Sequence, residues 1–235
     1  LGYAGRVSRF VACDNVVPPD YFREVFPHLA PPPGVSIKYE TRSAITAGQM
    51  RVLCRAGIRC VQPGVEALAT ETLERMRKGV TAFDNLRFLK DCLRHALYAE
   101  WNLLLFSPGE PEEVYLKYER DLPRLVHLQP PMGVFPIEFV RDSRYFEEAG
   151  AYWLDLEPHE SLRYIYPFGP ETLAGLCDRF TDRNADRARA DLWLDRLGGL
   201  VGAWQERWAR EAGGRPFLLL GRDAQSAYIH DSRAG

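Results

Sequence analysis

The sequence predicts an α/β protein in which parallel strands are joined by crossover helices. Short apolar segments alternate with segments whose apolar residues recur at helical spacing, which is typical of βα units. Polar and acidic residues also follow the ends of several strand-like segments, where α/β proteins bind ligands. Five consecutive units fit either an open doubly wound sheet or part of a (β/α) barrel, and periodicity does not distinguish the two.

Composition and charge restrict the class of partner. The chain has 235 residues, of which 46% are hydrophobic and 26% charged, enough to bury a substantial core. A net charge of -2 and a pI near 6.3 argue against binding of nucleic acid or an anionic membrane, because phosphate neutralisation needs clustered Lys and Arg. No apolar run is long enough to span a bilayer and no signal-peptide core is present, so we predict a cytoplasmic protein.

Cysteine and histidine spacing predicts no metal site. No two of the five cysteines form a C-x-x-C pair, and the histidines form no H-E-x-x-H motif. Cysteines of this kind commonly behave as small core residues. We therefore predict free, buried thiols at Cys13, Cys54, Cys60, Cys92 and Cys177.

The first part of the chain carries the alternating pattern. Strands are predicted at residues 7–13, 35–39, 60–65, 100–106 and 133–140. Helices are predicted at residues 19–26, 70–79, 81–95 and 112–128, and a further helix follows the N-cap Thr46 with apolar positions 50, 53, 54 and 58 and ends at Gly57. The helix at 81–95 is expected to bury Phe83, Leu86, Leu89 and Leu93.

The second part of the chain has a different composition. Residues 147–185 are rich in aromatic residues, Pro and Gly, which predicts a connector or lid. Residues 187–211 predict a helix, and residues 216–220 and 227–230 predict a β-hairpin. The helix carries an apolar stripe of Trp193, Leu197, Leu200, Val201, Trp204 and Trp208. We therefore expect a barrel-like region at 1–146, a connector at 147–185 and a small α+β, winged-helix-like module at 186–235.

The residues at the predicted strand ends fit an amino-acid nucleoside. Carboxylates accept hydrogen bonds from an ammonium group or from ribose hydroxyls, and Arg42 can hold a carboxylate by two hydrogen bonds. Each acid taken alone fits capping of the following helix at least as well. Polar residues at four strand ends together favour a pocket, with the candidates Asp14, Asn15, Glu40, Arg42, Glu66, Asn102, Pro108, Gly109 and Glu110.

Several short motifs occur in an order that resembles the radical S-adenosylmethionine (radical SAM) superfamily, in particular its cobalamin-dependent enzymes that modify ribosomally made peptides. Many short matches in order are more specific than any one of them. The matching motifs are Asp14-Asn15, Gln62-Pro63-Gly64-Val65-Glu66, Met76-Arg77-Lys78-Gly79, Trp101-Asn102, Pro108-Gly109-Glu110, His127-Leu128-Gln129-Pro130-Pro131 and Arg141-Asp142-Ser143-Arg144-Tyr145-Phe146.

The resemblance implies a fold, cofactors and a reaction. It implies a partial TIM-like (β/α) barrel that binds S-adenosylmethionine at its strand ends, through the nine residues named above. A 4Fe-4S cluster on a C-x3-C-x2-C motif cleaves S-adenosylmethionine to a 5′-deoxyadenosyl radical in that family, and an upstream Rossmann-like domain carries cobalamin. The cobalamin delivers a methyl group to an unreactive carbon of a precursor peptide, which makes C-methylation the expected reaction.

The chain also departs from the family pattern. It lacks the C-x3-C-x2-C motif, which belongs to the loop after the barrel's first strand, and it opens on Leu1 at what resembles the second strand. The resemblance therefore implies a fragment of a longer enzyme, with a missing N-terminal half as an expected partner and residues 7–13 as an unpaired sheet edge. Phe106-Ser107 replaces a small Gly of the family and is expected to crowd the adenine pocket.

Two other functions fit the same residues. A catalytically silent module would bind a nucleoside or peptide, using the aromatic side chains of Tyr145, Phe146, Tyr152 and Trp153. Packing of these aromatics beneath a long loop explains them equally well. An unrelated (β/α) hydrolase would instead use paired acids such as Glu40 and Glu66 for acid-base catalysis.

Overall fold

Parallel strands form the central part of the molecule, as the sequence predicted. The computed structural model describes residue 3 and residues 5–210, 214–223 and 225–233. One parallel sheet has the order β1-β2-β3-β4, and a second parallel pair joins β5 to β6. The strands are β1 (Arg9–Val11), β2 (Ser36–Thr41), β3 (Ile58–Pro63), β4 (Tyr98–Ala99), β5 (Leu103–Leu105) and β6 (Val134–Pro136).

Crossover helices connect these strands. They are α1 (Tyr21–Glu24), α2 (Ala47–Arg55), α3 (Thr70–Arg75), α4 (Ala82–Arg94) and α5 (Glu112–Asp121). Thr46 and Thr81 each accept a hydrogen bond from the backbone three residues later and form capping boxes, so the predicted N-cap Thr46 is confirmed. Gly57 ends the α2 turn at φ 82°, and a Cβ there would lie 2.2 Å from Pro31 Cγ, so only glycine fits.

Several predicted boundaries of helices and strands differ from those in the structure, and local features of the chain explain the differences. Ile58 lies in β3 rather than on α2, because Gly57 has already ended that helix. Of the predicted strand 100–106, residues 103–105 form β5, and the non-strand residues 100–102 separate it from β4. The predicted helix 112–128 ends at Asp121 and continues as a 3-10 turn (Leu122–Arg124) that contains Pro123, which cannot donate an α-helical hydrogen bond.

Helix α4 buries a different face from the one predicted. Its buried residues are Asn85, Phe88, Leu89 and Cys92. Of the predicted set, Leu89 is buried, whereas Phe83 is 70% exposed and Leu93 is 44% exposed. Both sets have helical spacing, and the observed face includes a polar residue that an apolar pattern omits.

The two faces of the main sheet differ in chemistry. One face packs on the helices through a core that includes Tyr39, Val61 and Ala99. The other face carries polar side chains, since residues two apart along a strand share a face. There the Lys38 ammonium binds the Glu100 carboxylate, and Cys60 Sγ lies 3.3 Å from Glu100 Oε1. Charge on one face of a parallel sheet is unusual because such sheets are normally covered on both faces.

Residues 147–185 contain regular structure rather than only a connector. β7 (Phe139–Val140), β8 (Leu156–Pro158) and β9 (Arg179–Asp182) form an antiparallel sheet in the order β7-β9-β8. The predicted strand 133–140 is therefore split, because its second half turns from the parallel pair into this sheet. Three short helices accompany the sheet, α6 (Arg144–Glu147), α7 (Ser161–Ile165) and α8 (Pro170–Leu176).

The long helix α9 (Arg187–Ala209) packs against the main body of the molecule. Trp193, Leu197, Val201 and Trp204 are buried in the same core as the parallel strands. The predicted end of this helix at residue 211 lies outside the described residues. The division into regions 1–146, 147–185 and 186–235 stays a prediction.

The predicted hairpin is confirmed. β10 (Leu218–Arg222) pairs antiparallel with β11 (Ala227–Asp231). Across the parts of the chain that the structure describes, no helix combines the length and the apolar character needed to cross a membrane.

Candidate functional site

A cleft of about 710 Å³ opens where β2, β3 and β4 end. This size falls in the range of small-molecule sites, roughly 300–1,000 Å³. Four of the nine predicted pocket residues line it, namely Glu40, Arg42, Glu66 and Asn102. The sequence reasoning did not single out Val16, Ser43, Gln62, Arg77, Lys78 and Glu100 as site residues, yet they also line it. Gln62, Arg77 and Lys78 belong to the Gln62–Glu66 and Met76–Gly79 motifs, and these motifs were the sequence signal that could have identified them.

The end of β2 contributes two opposite charges. Glu40 lies near the end of β2, Arg42 directly follows the strand, and both residues line the cleft. Neither side chain makes a hydrogen bond or ion pair with another described residue. Thr41 lies between them, is 3% exposed, and has a buried hydroxyl without a hydrogen-bond partner among the described residues. The end of β2 therefore presents a carboxylate and a guanidinium that are available to a zwitterionic ligand.

The segment after β3 presents an ion pair to the cleft. Glu66 Oε2 lies 2.5 Å from Lys78 Nζ, with the two side chains 29% and 33% exposed. Glu66 has a left-handed backbone, with φ 55°, which is uncommon for a residue other than glycine. Gly64 lies beside the pair, since a Cβ there would make ordinary van der Waals contact with Glu66 Oε1 at 3.7 Å and with Lys78 Nζ at 3.8 Å.

A buried amide fixes this segment from behind. Asn85 on α4 donates through Nδ2 to the carbonyl oxygens of Val65 and Ala67, at 2.9 Å each. The two acceptors flank Glu66 in sequence. Sequence reasoning missed Asn85, and the only signal for it was a polar residue three positions before Phe88 on a helix with a buried face.

The connection between β4 and β5 forms another wall of the cleft. Trp101 is 1% exposed and its indole N–H donates to the Gln129 carbonyl at 3.1 Å, while Asn102 is exposed. The Gln129 side chain accepts from the Ala99 N–H and donates to the Leu97 carbonyl, each at 2.7 Å. These contacts hold the interrupted strand in place and leave Asn102 at the mouth of the cleft.

Glu100 links the cleft to the polar face of the sheet. The Lys38 ammonium lowers the pKa of Glu100 by donating a hydrogen bond to its carboxylate. Burial raises the pKa of Cys60 to about 12, so this residue remains a thiol at neutral pH.

The Pro108-Gly109-Glu110 segment lies outside the cleft. Glu110 is 7% exposed, and its carboxylate accepts hydrogen bonds from the Thr72 hydroxyl at 2.5 Å and the Tyr115 hydroxyl at 2.9 Å. It also accepts from the backbone N–H groups of Phe106 and Ser107. Burial raises the pKa of Glu110 despite these donors. Glu110 thus closes its own loop, while Pro108 and Gly109 do not line the cleft.

Asp14, Asn15 and Phe106 also fall outside the cleft lining. The Asp14 carboxylate accepts a hydrogen bond from the Tyr39 hydroxyl, and the neighbouring Val16 is the residue that lines the cleft. The Phe106 ring packs edge-on against Tyr115 at 5.3 Å between centroids and does not line the cleft, and the expected crowding of an adenine pocket stays a prediction.

Three of the four aromatic peptide-binding candidates pack within the small antiparallel sheet region. Tyr145 contacts Tyr152 at 4.9 Å between ring centroids, and Phe146 contacts Phe180 at 4.7 Å. Trp153 is 85% exposed and remains available to a ligand. Packing beneath a loop region therefore accounts for most of this set.

The described cysteines do not fit an iron-sulfur cluster. No group of three or more His, Cys, Asp or Glu side chains is placed to hold a metal ion within the described ranges. Cys92 and Cys177 are buried, Cys54 and Cys60 are partly buried and Cys13 is exposed, so the prediction of a buried thiol is wrong for Cys13.

Comparison with known proteins gives partial similarities to solved structures. No family model matches the chain, and no curated protein matches it. The cobalamin-dependent S-adenosylmethionine radical enzyme OxsB, with aqua-cobalamin bound, aligns at a TM-score of 0.48 and 13% identity over 74% of this chain and 29% of that chain. The radical S-adenosylmethionine methyltransferase TsrM from Kitasatospora setae has a tryptophan substrate and a SAM analogue bound. It aligns at a TM-score of 0.38 and 18% identity over 46% of this chain and 20% of that chain.

This chain spans less than a third of the length of either neighbour. Both neighbours are cobalamin-dependent or methyl-transferring radical SAM enzymes. Similarity at this level assigns no activity, cofactor or substrate to the chain.

Proposed function

We propose that this chain binds S-adenosylmethionine in the cleft as part of a cobalamin-dependent radical SAM enzyme that C-methylates a ribosomally made precursor peptide in the cytoplasm. The observation that carries the binding step is the Glu40 and Arg42 pair, two opposite charges in the cleft lining at one strand end whose side chains make no hydrogen bond or ion pair with another described residue. The peptide-modifying reaction rests on the motif resemblance alone.

The cleft offers a partner for each polar part of the nucleoside. The ligand's ammonium fits the Glu40 carboxylate, and its carboxylate fits the guanidinium of Arg42, which can donate two parallel hydrogen bonds. Glu66 and Asn102 then supply acceptors and a donor for ribose hydroxyls and base edges. The chain's own contribution is to bind and orient the nucleoside.

No described residue is assigned to the 4Fe-4S cluster or to cobalamin, the other two cofactors of the enzymes that this chain resembles. The described cysteines do not fit a 4Fe-4S cluster, and no described residue is assigned to cobalamin. A second candidate function follows from this mismatch, namely a nucleoside-binding module without a redox step. A hydrolase that pairs Glu40 with Glu66 has no support beyond the shared place of the two acids in the cleft lining.

Binding of S-adenosylhomocysteine by isothermal titration calorimetry tests the shared binding step without iron or reductant. We expect Arg42→Gln to weaken binding by roughly ten- to a hundredfold, the range for loss of a hydrogen bond to a charged group. The matched control is Arg87→Gln, which removes an exposed guanidinium on α4 that pairs with Asp84, neither residue being part of the cleft lining.

We expect the Arg87→Gln variant to bind as the wild type does. If the wild type fails to bind S-adenosylhomocysteine, the nucleoside site is ruled out. If both arginine variants weaken binding equally, the ligand does not contact Arg42 specifically.

A further inference from the structure

The position of Glu66 in the cleft depends on a tightly fixed backbone. The Ala67 N–H donates to the Val65 carbonyl at 2.6 Å, which closes a three-residue turn with Glu66 at its centre. A turn of this kind with a positive central φ is rare and strained. Surrounding structure must hold such a residue in place, because relaxation would turn the side chain to another direction.

The residues around this turn supply that restraint. The carbonyl of Glu66 accepts from the Leu104 N–H on β5 at 2.8 Å, and the Leu68 N–H donates to the Tyr118 hydroxyl at 3.2 Å. The Asn85 side-chain amide donates hydrogen bonds to the Val65 and Ala67 carbonyl oxygens, on either side of Glu66. Asn85 is the one side chain among the described residues that bridges the two ends of the turn.

The burial of Asn85 leaves one of its polar atoms unpaired within the described parts of the chain. It is fully buried, at 0% exposure, and its Oδ1 atom has no hydrogen-bond partner among the described residues. A buried acceptor left unpaired is unfavourable, and such groups in folded proteins call for an explanation. The two hydrogen bonds that Asn85 Nδ2 donates to the strained turn around Glu66 provide one.

We infer that Asn85 is a positioning residue that holds the Glu66 carboxylate in the cleft, where it meets hydrogen-bond donors of the bound nucleoside. Asn85 itself does not line the cleft, so it acts through Glu66 alone. The identity of the ligand rests on the proposed function, whereas the placement of Glu66 against Lys78 can be measured without any ligand.

The ligand-free measurement is NMR detection of the Lys78 ammonium. An ammonium held against a carboxylate exchanges its protons more slowly than a solvated one, so the wild type should show this resonance at low temperature. We expect Asn85→Ala and Glu66→Gln both to abolish it. Gln129→Ala is the matched control, since it removes another buried amide that bridges two backbone groups, and it should leave the resonance intact.

The ligand measurement is a double-mutant cycle in S-adenosylhomocysteine affinity. We expect Glu66→Gln and Asn85→Ala each to weaken binding about tenfold, and the double variant also about tenfold rather than a hundredfold, because both remove one interaction. Gln129→Ala should combine with Glu66→Gln additively. Thermal unfolding verifies that each variant is folded, and Asn85→Ser, which retains one donor, replaces Asn85→Ala if the latter does not fold.

The outcomes distinguish the positioning role of Asn85 from the proposed nucleoside binding. Retention of the Lys78 resonance in a folded Asn85 variant, or additive effects in the cycle, overturns the role of Asn85. Unchanged affinity in Glu66→Gln overturns it as well, because Glu66 would then not contact the ligand. Loss of the resonance together with no nucleoside binding by the wild type rejects the proposed function and retains the positioning of Glu66.

Discussion

At the scale of single residues, two acids at strand ends have opposite roles. Glu66 faces the cleft, whereas Glu110 is buried and holds its own loop closed. Both follow a short apolar strand and precede a helix, so the sequence predicts the same role for each. The difference depends on the donors around Glu110, namely Thr72 and Tyr115, which distant elements bring to it.

The buried Glu110 carboxyl predicts a pH dependence of stability. Its pKa is raised in the folded state above the usual value near 4.3, so the folded protein binds a proton more tightly there than the unfolded chain does. This contribution to stability is fully present below the unfolded pKa and is lost as the pH rises through the raised folded pKa. Urea unfolding of the wild type and Glu110→Gln should therefore give a stability difference, wild type minus variant, that falls as the pH rises from 4.5 to 7.5.

Glu138→Gln is the control for this series, because Glu138 is an exposed carboxyl paired with Arg179. We expect the difference between this variant and the wild type to vary little over the same range. A Glu110 difference that is constant or grows with pH would show that burial does not dominate the pKa of this carboxyl.

At the scale of elements, local chemistry predicted helix starts and the hairpin better than helix faces. The capping boxes at Thr46 and Thr81 depend on residues three apart, and the hairpin depends on its turn, so both are visible in the sequence. The face of α4 depends on tertiary contacts instead. Asn85 is buried because two carbonyls of another segment need its amide, and no apolar pattern contains that information.

Two phenylalanines on α4 test which face is buried. Phe88→Ala should lower the free energy of unfolding by about 3–5 kcal/mol, because it leaves a cavity in the core. Phe83→Ala should change it by less than about 0.5 kcal/mol, because that ring is 70% exposed. Denaturant unfolding of both variants measures the contrast, and equal losses would support the face that the sequence predicted.

At the scale of the whole molecule, the alternation of strands and helices predicted the α/β class and the parallel sheet correctly. The interruption between β4 and β5 and the packing of α9 could not be predicted in this way. Both depend on contacts that are distant in the chain, since Trp101 and Trp204 meet at 6.3 Å between ring centroids and Trp204 donates to the Leu128 carbonyl. The candidate cleft was predictable only in part, through four strand-end residues and the motifs around them.

The packing of α9 predicts that it unfolds together with the parallel sheet. Trp204→Ala should lower the free energy of unfolding by about 3–5 kcal/mol, and native-state hydrogen exchange should become faster for amides of both α9 and β3. Trp153→Ala, which removes a ring that is 85% exposed, serves as the control and should have little effect. Faster exchange confined to α9 would instead indicate that α9 unfolds separately from the sheet.

The distribution of the five cysteines gives the molecule a natural attachment point. Burial raises the pKa of Cys54, Cys60 and Cys92, so little of the reactive thiolate forms at these three residues. Cys177 is buried, which restricts access of alkylating reagents to its thiol. Cys13 is exposed and follows β1 at the same edge of the sheet as the cleft. We therefore expect a fluorophore or spin label on the unaltered chain to attach at Cys13, three residues before the cleft-lining Val16, without any engineered cysteine.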